Sequence, residues 1–263
     1  MHAEKDYTSR LGAGLGMIHE TLDLLRVWQP GMTPLGLARQ ALDKGLFSRT
    51  TARRNEDLAI EMFAPRYLVS GGIIASRLKF LVERGFPQES LVQIFFLQTA
   101  RAQEIFKDFV IEVYWPKYSS GAASVSKSDA ERFVQHALDA GRMRKRWSES
   151  TIRRVSGYLL GCCVDFGLLG EGKRTERPIK RFSIRKDVAL YLAHELHFDG
   201  LSDLAVLQHR DWQLFGLEFQ DVVELMKSVS HDGYLLIQST PDLVQISWKY
   251  RTMEDCLRVL TQR

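Results

Sequence analysis

The sequence predicts a mainly α-helical protein with helix-turn-helix and winged-helix elements, the wings being small β-hairpins. Apolar residues recur at helical spacing through most of the 263 residues. Gly-containing turns separate the first helices. Twice, an amphipathic helix is followed by a Gly turn and a short strand-like stretch.

Ile18, Leu22, Leu25 and Trp28 mark the first helix, which Pro30-Gly31 ends. Thr33 reads as the cap of a second helix, with Pro34 at its first position and Gly45 closing it after about Lys44. "FSRTTARR", Phe47 to Arg54, opens a third with Ser48 as N-cap, running towards Phe63 and stopped at Pro65. Helix, Gly-containing turn, helix is a helix-turn-helix outline. Residues 70–115 hold apolar helices split at Gly85-Phe86-Pro87, and Leu91 to Tyr114 reads as one buried helix. "SSGAASVS", Ser119 to Ser126, reads as a flexible loop. Ser128 and Glu131 then form a capping box for a helix whose apolar face is Ala130, Phe133, Val134, Ala137 and Leu138.

"WSESTIRR", Trp147 to Arg154, repeats the earlier motif and opens a helix with apolar positions Ile152, Val155, Leu159, Cys162 and Phe166. Gly167-Leu168-Leu169-Gly170, a charged loop and the strand-like "KRFSI" of residues 180–184 complete a winged-helix order. The C-terminal stretch repeats it. A helix is followed by Gly233, then by strands in which Leu235, Ile237, Val244, Ile246 and Trp248 alternate about a Pro-Asp turn. A helix from Met253 to Leu260 closes the chain. Four segments follow: a helix-turn-helix region 1–68, a helical core 69–118, a basic winged-helix region 119–197 and an acidic winged-helix-like region 198–263.

No apolar run reaches the roughly 20 residues that span a bilayer, and the N-terminus lacks a basic-then-apolar signal pattern. The expectation is a cytoplasmic protein with no membrane partner. Cys162, Cys163 and Cys256 form no C-x-x-C pair, so reduced, buried thiols are expected. Net charge is +4, but unevenly spread. Arg142 to Lys186 holds thirteen Lys or Arg against four Asp or Glu, whereas Asp187 to Arg263 holds six against twelve. The basic segment suits phosphates. The acidic one, with Glu218, Asp221 and Glu224 on its main helix, suits a protein partner or packing against its neighbour.

Capping accounts for half of the twin motif. Ser48 and Ser148 stand at N-cap positions, and Phe47 and Trp147 stand at staple spacing from Ala52 and Ile152. It does not account for Arg53-Arg54 and Arg153-Arg154, because cations are mildly unfavourable at a helix N-terminus. In a DNA-binding helix-turn-helix, the first turns of the second helix enter the major groove. Hydroxyls there contact phosphates, and Arg reaches phosphate or guanine. The candidate DNA contacts are therefore Arg49, Thr50, Thr51, Arg53 and Arg54 in the first copy. In the second they are Lys145, Arg146, Ser148, Ser150, Thr151, Arg153 and Arg154, with Lys173, Arg174, Arg177, Lys180 and Arg181 in the wing. The second copy is the more basic; the first has Glu56, Asp57 and Glu61 beside it.

Signals for catalysis are poor. There is no G-x-x-x-x-G-K-[ST] loop. "GAGLG", Gly12 to Gly16, follows no strand. "HELH", His194 to His197, is not H-E-x-x-H and reads as an ordinary surface helix. No catalytic residue, cofactor or metal is expected.

The order of "TARR", an apolar helical block, "SKSD", "WSEST" and "GLL" before a basic stretch resembles the BrxA family of BREX phage-defence systems. The resemblance spans about residues 7 to 192, most specifically Ser48 to Arg54, Ser126 to Asp129 and Trp147 to Thr151. It implies an accessory DNA-binding protein acting beside methyltransferase, ATPase and phosphatase-like components. It supplies no catalytic residues, and the chain after about His197 departs from it. The expected function is non-catalytic binding of double-stranded DNA, mainly through phosphates. The alternative is an adaptor that assembles defence components, contacting them through residues 198–263. Binding of RNA ranks third, since exposed stacking aromatics are lacking.

Overall fold

The computed structural model describes residues 6–8, 16–47, 51–143, 145–239 and 244–262. The protein is mainly helical, with two small antiparallel hairpins. It divides into two compact units. Unit 1 comprises residues 1–79 and 95–182, and unit 2 comprises 80–94 and 183–263.

Unit 1 opens with α1 (Ile18–Val27) and α2 (Pro34–Asp43). Thr33 caps α2 as its sequence requires, its hydroxyl accepting from the Gly36 N–H at 3.1 Å. The next helix, α3 (Ala52–Asp57), is capped by Thr51, whose hydroxyl accepts from Arg54 N–H. This corrects the expected cap at Ser48, a residue outside those described. The half-buried Phe47 packs on Met17, Leu58 and Met62.

Proline in a helix normally clashes with the carbonyl four residues back. Pro65 and Pro116 nevertheless sit in continuous helical backbone. Ahead of each lies a π-helical turn, Leu58–Phe63 before α4 (Ala64–Tyr67) and Val110–Tyr114 before a later helix. Ala64 N–H donates to the Ala59 carbonyl and Trp115 N–H to Val110, both five residues back. The extra residue widens the turn and makes room for the ring. The stop expected at Pro65 is thereby corrected, since helical backbone continues to Tyr67.

α5 (Ile73–Glu83) and α6 (Gln88–Ala102) are divided at Gly85, as expected, and each carries residues of both units. Gln103 leaves helical geometry at φ −128°, so the single helix expected from Leu91 to Tyr114 is broken. α7 (Glu104–Phe109), the π turn and α8 (Trp115–Ser119) follow. Phe96 centres an aromatic core in unit 1. Its ring lies 5.8 Å from Phe106, 5.6 Å from Phe166 and 5.8 Å from Phe182.

The loop expected over Ser119 to Ser126 ends in a strand, β1 (Ser124–Ser126), with Val125 fully buried. Small residues hid it, because neither side of the strand carries the usual apolar alternation. β1 leads directly into α9 (Lys127–Asp139). The capping box is Ser126 with Asp129, not Ser128 with Glu131: Ser126 N–H donates to the Asp129 carboxylate at 2.9 Å, and Asp129 N–H donates to the Ser126 hydroxyl. Burial alone would raise the Asp129 pKa. Bonds from Lys117, Ser126 and Arg132 outweigh it and hold the carboxyl well below the usual range.

α10 (Glu149–Asp165) packs on α9 and buries Ile152, Val155, Leu159 and Cys162, the predicted stripe, with Phe166 beyond its end. Ser148 caps it as expected. The strand that follows is β2 (Glu176–Pro178), paired antiparallel with β1, and not "KRFSI". A bridge from Leu169 to Ile179 adds a third line beside it.

In unit 2, α11 (Lys186–Phe198) is buried along nearly its whole length, from Val188 to Leu196. α12 (Asp203–Leu207), α13 (Phe219–His231) and α14 (Met253–Leu260) pack against it. β3 (Leu235–Ser239) and β4 (Val244–Trp248) form the predicted hairpin, Ile237 facing Ile246, while the Pro-Asp turn lies outside the described residues. The expectation of a surface helix at "HELH" is corrected. His194 is fully buried, its ring 5.0 Å from Trp248, and His197 stacks on Trp248 at 4.2 Å. A lone polar pair could not reveal that the whole helix is enclosed.

Candidate nucleic-acid interface

Every described residue proposed as a DNA contact belongs to unit 1. They fall into three groups. Lys145, Arg146 and Ser148 approach α10, and Ser150, Thr151, Arg153 and Arg154 occupy its first turns. Lys173, Arg174 and Arg177 lie on the β2 hairpin, with Lys180 and Arg181 just after it. Thr51, Arg53 and Arg54 start α3. Arg49 and Thr50 lie outside the described residues.

The first group is shaped by the cap. Ser148 Oγ receives the Thr151 N–H at 3.3 Å and lies 3.0 Å from the Ser150 hydroxyl, so the hydroxyls cluster at the helix mouth. Because Ile152, Val155 and Leu159 face inward, the opposite face is set by helical geometry. There Ser150, Arg153, Arg154 and Gly157 are exposed. Arg153 Nη2 lies 3.0 Å from the Glu149 carboxylate. Lys145, Arg146 and Arg154 have no ion-pair partner among the described residues.

The hairpin is built by glycine. A Cβ at Gly170 would lie 3.0 Å from the Pro178 ring, and one at Gly172 would lie 3.0 Å from the Glu176 carbonyl, so the absence of side chains there favours the close approach of the two arms. Glu176 N–H donates to the Lys173 carbonyl at 3.0 Å, which leaves the exposed Lys173 and Arg174 at the tip of the turn. Arg177 is drawn back, donating to the Gly172 carbonyl at 2.8 Å. Tyr114 donates to the Lys180 carbonyl at 3.2 Å and fixes the chain where Lys180 and Arg181 project.

Some of the basic segment is not available to a ligand. Arg142 lies 2.8 Å from Asp108, which is 1% exposed at its side chain, and its guanidinium covers the Tyr7 ring at 4.8 Å. Tyr7 donates to the same carboxylate at 2.7 Å, and Tyr7 N–H donates to the Arg142 carbonyl. Arg142 is a structural clamp. Arg185 and Lys186 belong to unit 2 and pair with Glu89 at 2.7 Å and Asp232 at 3.2 Å. Among the described residues of unit 1, the exposed cations of the basic segment therefore lie between Lys145 and Arg181. Gly157, exposed in the middle of α10, belongs to no motif that would single it out in the sequence.

Unit 2 carries the opposite character. Glu218 and Asp221 stand at the N-terminus of α13, where Asp221 accepts from Glu218 N–H at 2.9 Å and complements the helix dipole. Glu224 pairs with Lys227 at 2.8 Å. A cavity of about 490 Å³ opens near the start of α11, lined by Arg185, Lys186, Asp187, Asp232 and Tyr234, its cations already met by carboxylates.

Among the described residues, no group of three or more His, Cys, Asp or Glu could hold a metal ion. All three cysteines are free and buried, and burial pushes the Cys162 and Cys256 thiols up to about 12. No single described helix is long and apolar enough to cross a membrane.

In comparison with known proteins, the model of the BrxA family matches residues 5–195, the greater part of the chain. No curated protein matches it.

Proposed function

The chain belongs to the BrxA family, which associates it with BREX phage defence, and we propose that it serves there as a non-catalytic binder of double-stranded DNA. The observation that carries this reading is the exposed face of α10. Lys145, Arg146 and Arg154, without ion-pair partners among the described residues, stand with Arg153 around a cluster of helix-mouth hydroxyls, and the hairpin tip adds Lys173 and Arg174. The order β1, α9, α10, the Leu169 bridge and β2 supports reading this region as a winged helix, with α10 as the groove-entering helix and residues 170–176 as the wing. α2 and α3 give a second, weaker helix-turn-helix entry. Arg53 and Arg54 there have Glu56, Asp57 and Glu61 as neighbours.

The balance of charge favours phosphates as the main source of affinity, with weak preference for sequence. Such a role places the protein in the cytoplasm. Each neutralised phosphate contributes about −0.9 to the slope of log affinity against log salt, so some six contacts give a slope of about −5. Titration of the full chain with a fluorescent duplex at several salt concentrations tests this, with duplex RNA and single strands as competitors. Steep salt dependence and preference for duplex DNA are expected. No affinity for any duplex at low salt overturns the reading.

A second reading has one observation in its favour. The acidic start of α13 would repel a DNA backbone, which suits unit 2 to contact with a protein. Under that reading the chain is an adaptor, recovered with other defence components and not with DNA.

A further inference from the structure

Gly157 lies in the interior of α10, a 17-residue helix, eight positions before its end. Glycine is, after proline, the poorest helix former, because it has the most backbone freedom to lose. One reason for a glycine inside a helix is a neighbour that a side chain would strike. Here, apart from the adjoining residues and the backbone of the helix itself, no described heavy atom lies within 4 Å of a Cβ built at Gly157. Gly36 in α2 is different, since a Cβ there would stand 3.2 Å from the Thr33 hydroxyl that caps its own helix. The fold of this chain therefore gives no reason for glycine at 157.

The position supplies one. Gly157 faces away from Ile152, Val155 and Leu159, which are buried. It follows Arg153 and Arg154 by one helical turn, and lies between them in angle around the helix. Both arginines are exposed, and Arg154 has no ion-pair partner among the described residues. A patch of bare backbone is thus flanked, around the helix, by the positions of two exposed arginines, the Arg153 guanidinium reaching back to Glu149.

We propose that Gly157 is the point at which one sugar-phosphate strand of a DNA duplex comes closest to α10, Arg153 and Arg154 reaching phosphates on either side of that contact. This rests on the DNA-binding reading above and adds to it the line along which the duplex lies. Without a Cβ the helix can sink further against the strand, as glycine allows wherever a backbone nears a ligand. The contact is steric and removes no charge. Its loss must weaken binding without changing the number of counterions released.

The experiment uses the full chain with Gly157→Ala and Gly157→Leu, read by thermal melting and by duplex-DNA titration over a range of salt. Both variants are expected to fold, and Ala is expected to raise the melting temperature by about 2 °C through helix propensity. Despite that, duplex affinity is expected to fall roughly tenfold for Ala and further for Leu, as when a close-packed contact is overfilled. The log–log salt slope stays at its wild-type value. Arg154→Ala, by contrast, is expected to lower that slope by about 1. Wild-type affinity in folded Gly157→Leu overturns the proposal while leaving DNA binding intact. Failure of the wild-type chain itself to bind any duplex overturns both.

Discussion

Arg153 Nη2 lies 3.0 Å from Glu149 Oε2, one turn earlier on α10. Both side chains are well exposed, at 64% and 86%, so the pair adds little to stability. Its expected consequence is for the proposed binding. Glu149 stands at the mouth of the helix, among the residues proposed to face DNA, and partly masks one of its cations.

Glu149→Gln should therefore strengthen duplex binding severalfold at low salt, with a change in stability below about 0.5 kcal/mol. Titration with labelled duplex and a thermal melt check both halves. Weaker binding in this variant would mean that Glu149 itself touches bases, for instance accepting from a cytosine amino group.

Arg142 predicts the opposite pattern. It holds the buried Asp108 together with Tyr7, so its charge is already met within the fold. Arg142→Ala removes one partner of a buried pair and should cost roughly 3 kcal/mol of stability. The salt slope of duplex binding should stay unchanged. A slope reduced by about 1 would place Arg142 on DNA instead.

His194 makes stability depend on pH. Its Nδ1 lies 2.8 Å from the Leu190 carbonyl and donates to it, and no described partner meets Nε2. Burial pushes its pKa down to about 4 from the ordinary 6.5. The unfolded chain therefore takes up a proton between these values while the folded chain does not. Stability is complete above about pH 6.5 and falls as pH drops towards 4, by on the order of 3 kcal/mol. Melting temperatures from pH 7.5 to 5 should decline in the wild type and decline less in His194→Leu. Equal slopes would contradict this assignment.

Legibility in the sequence followed physical locality. Thr33-Pro34, Ser148 and the stripe Ile152, Val155, Leu159 and Cys162 could be read because a cap and a helical period are properties of a few neighbouring residues. The hairpin of Leu235 and Ile246 was legible through its alternation. What stayed hidden depends on distant or compensating structure. The π turns cancel the breaking power of Pro65 and Pro116, and nothing in "LAIEMF" or "VIEVY" announces them. β1 is a strand because Glu176 to Pro178 pairs with it from fifty residues away. The twin motifs suggested equivalent caps, Ser48 and Ser148, but the chain uses Thr51 in one and Ser148 in the other. In the candidate site, charge was legible from composition, but which cations are free was not. Arg142, Arg185 and Lys186 are taken up by Asp108, Glu89 and Asp232, partners remote in sequence.

The central claim is that the exposed cations of α10 and the residues after β2 hold duplex DNA. Its most direct test is a gel shift at low salt with Arg153, Arg154, Lys180 and Arg181 all replaced by Ala. These side chains are exposed, so the melting temperature and circular dichroism should match the wild type. The account predicts that the folded variant no longer shifts the duplex. An undiminished shift from that folded variant would contradict it.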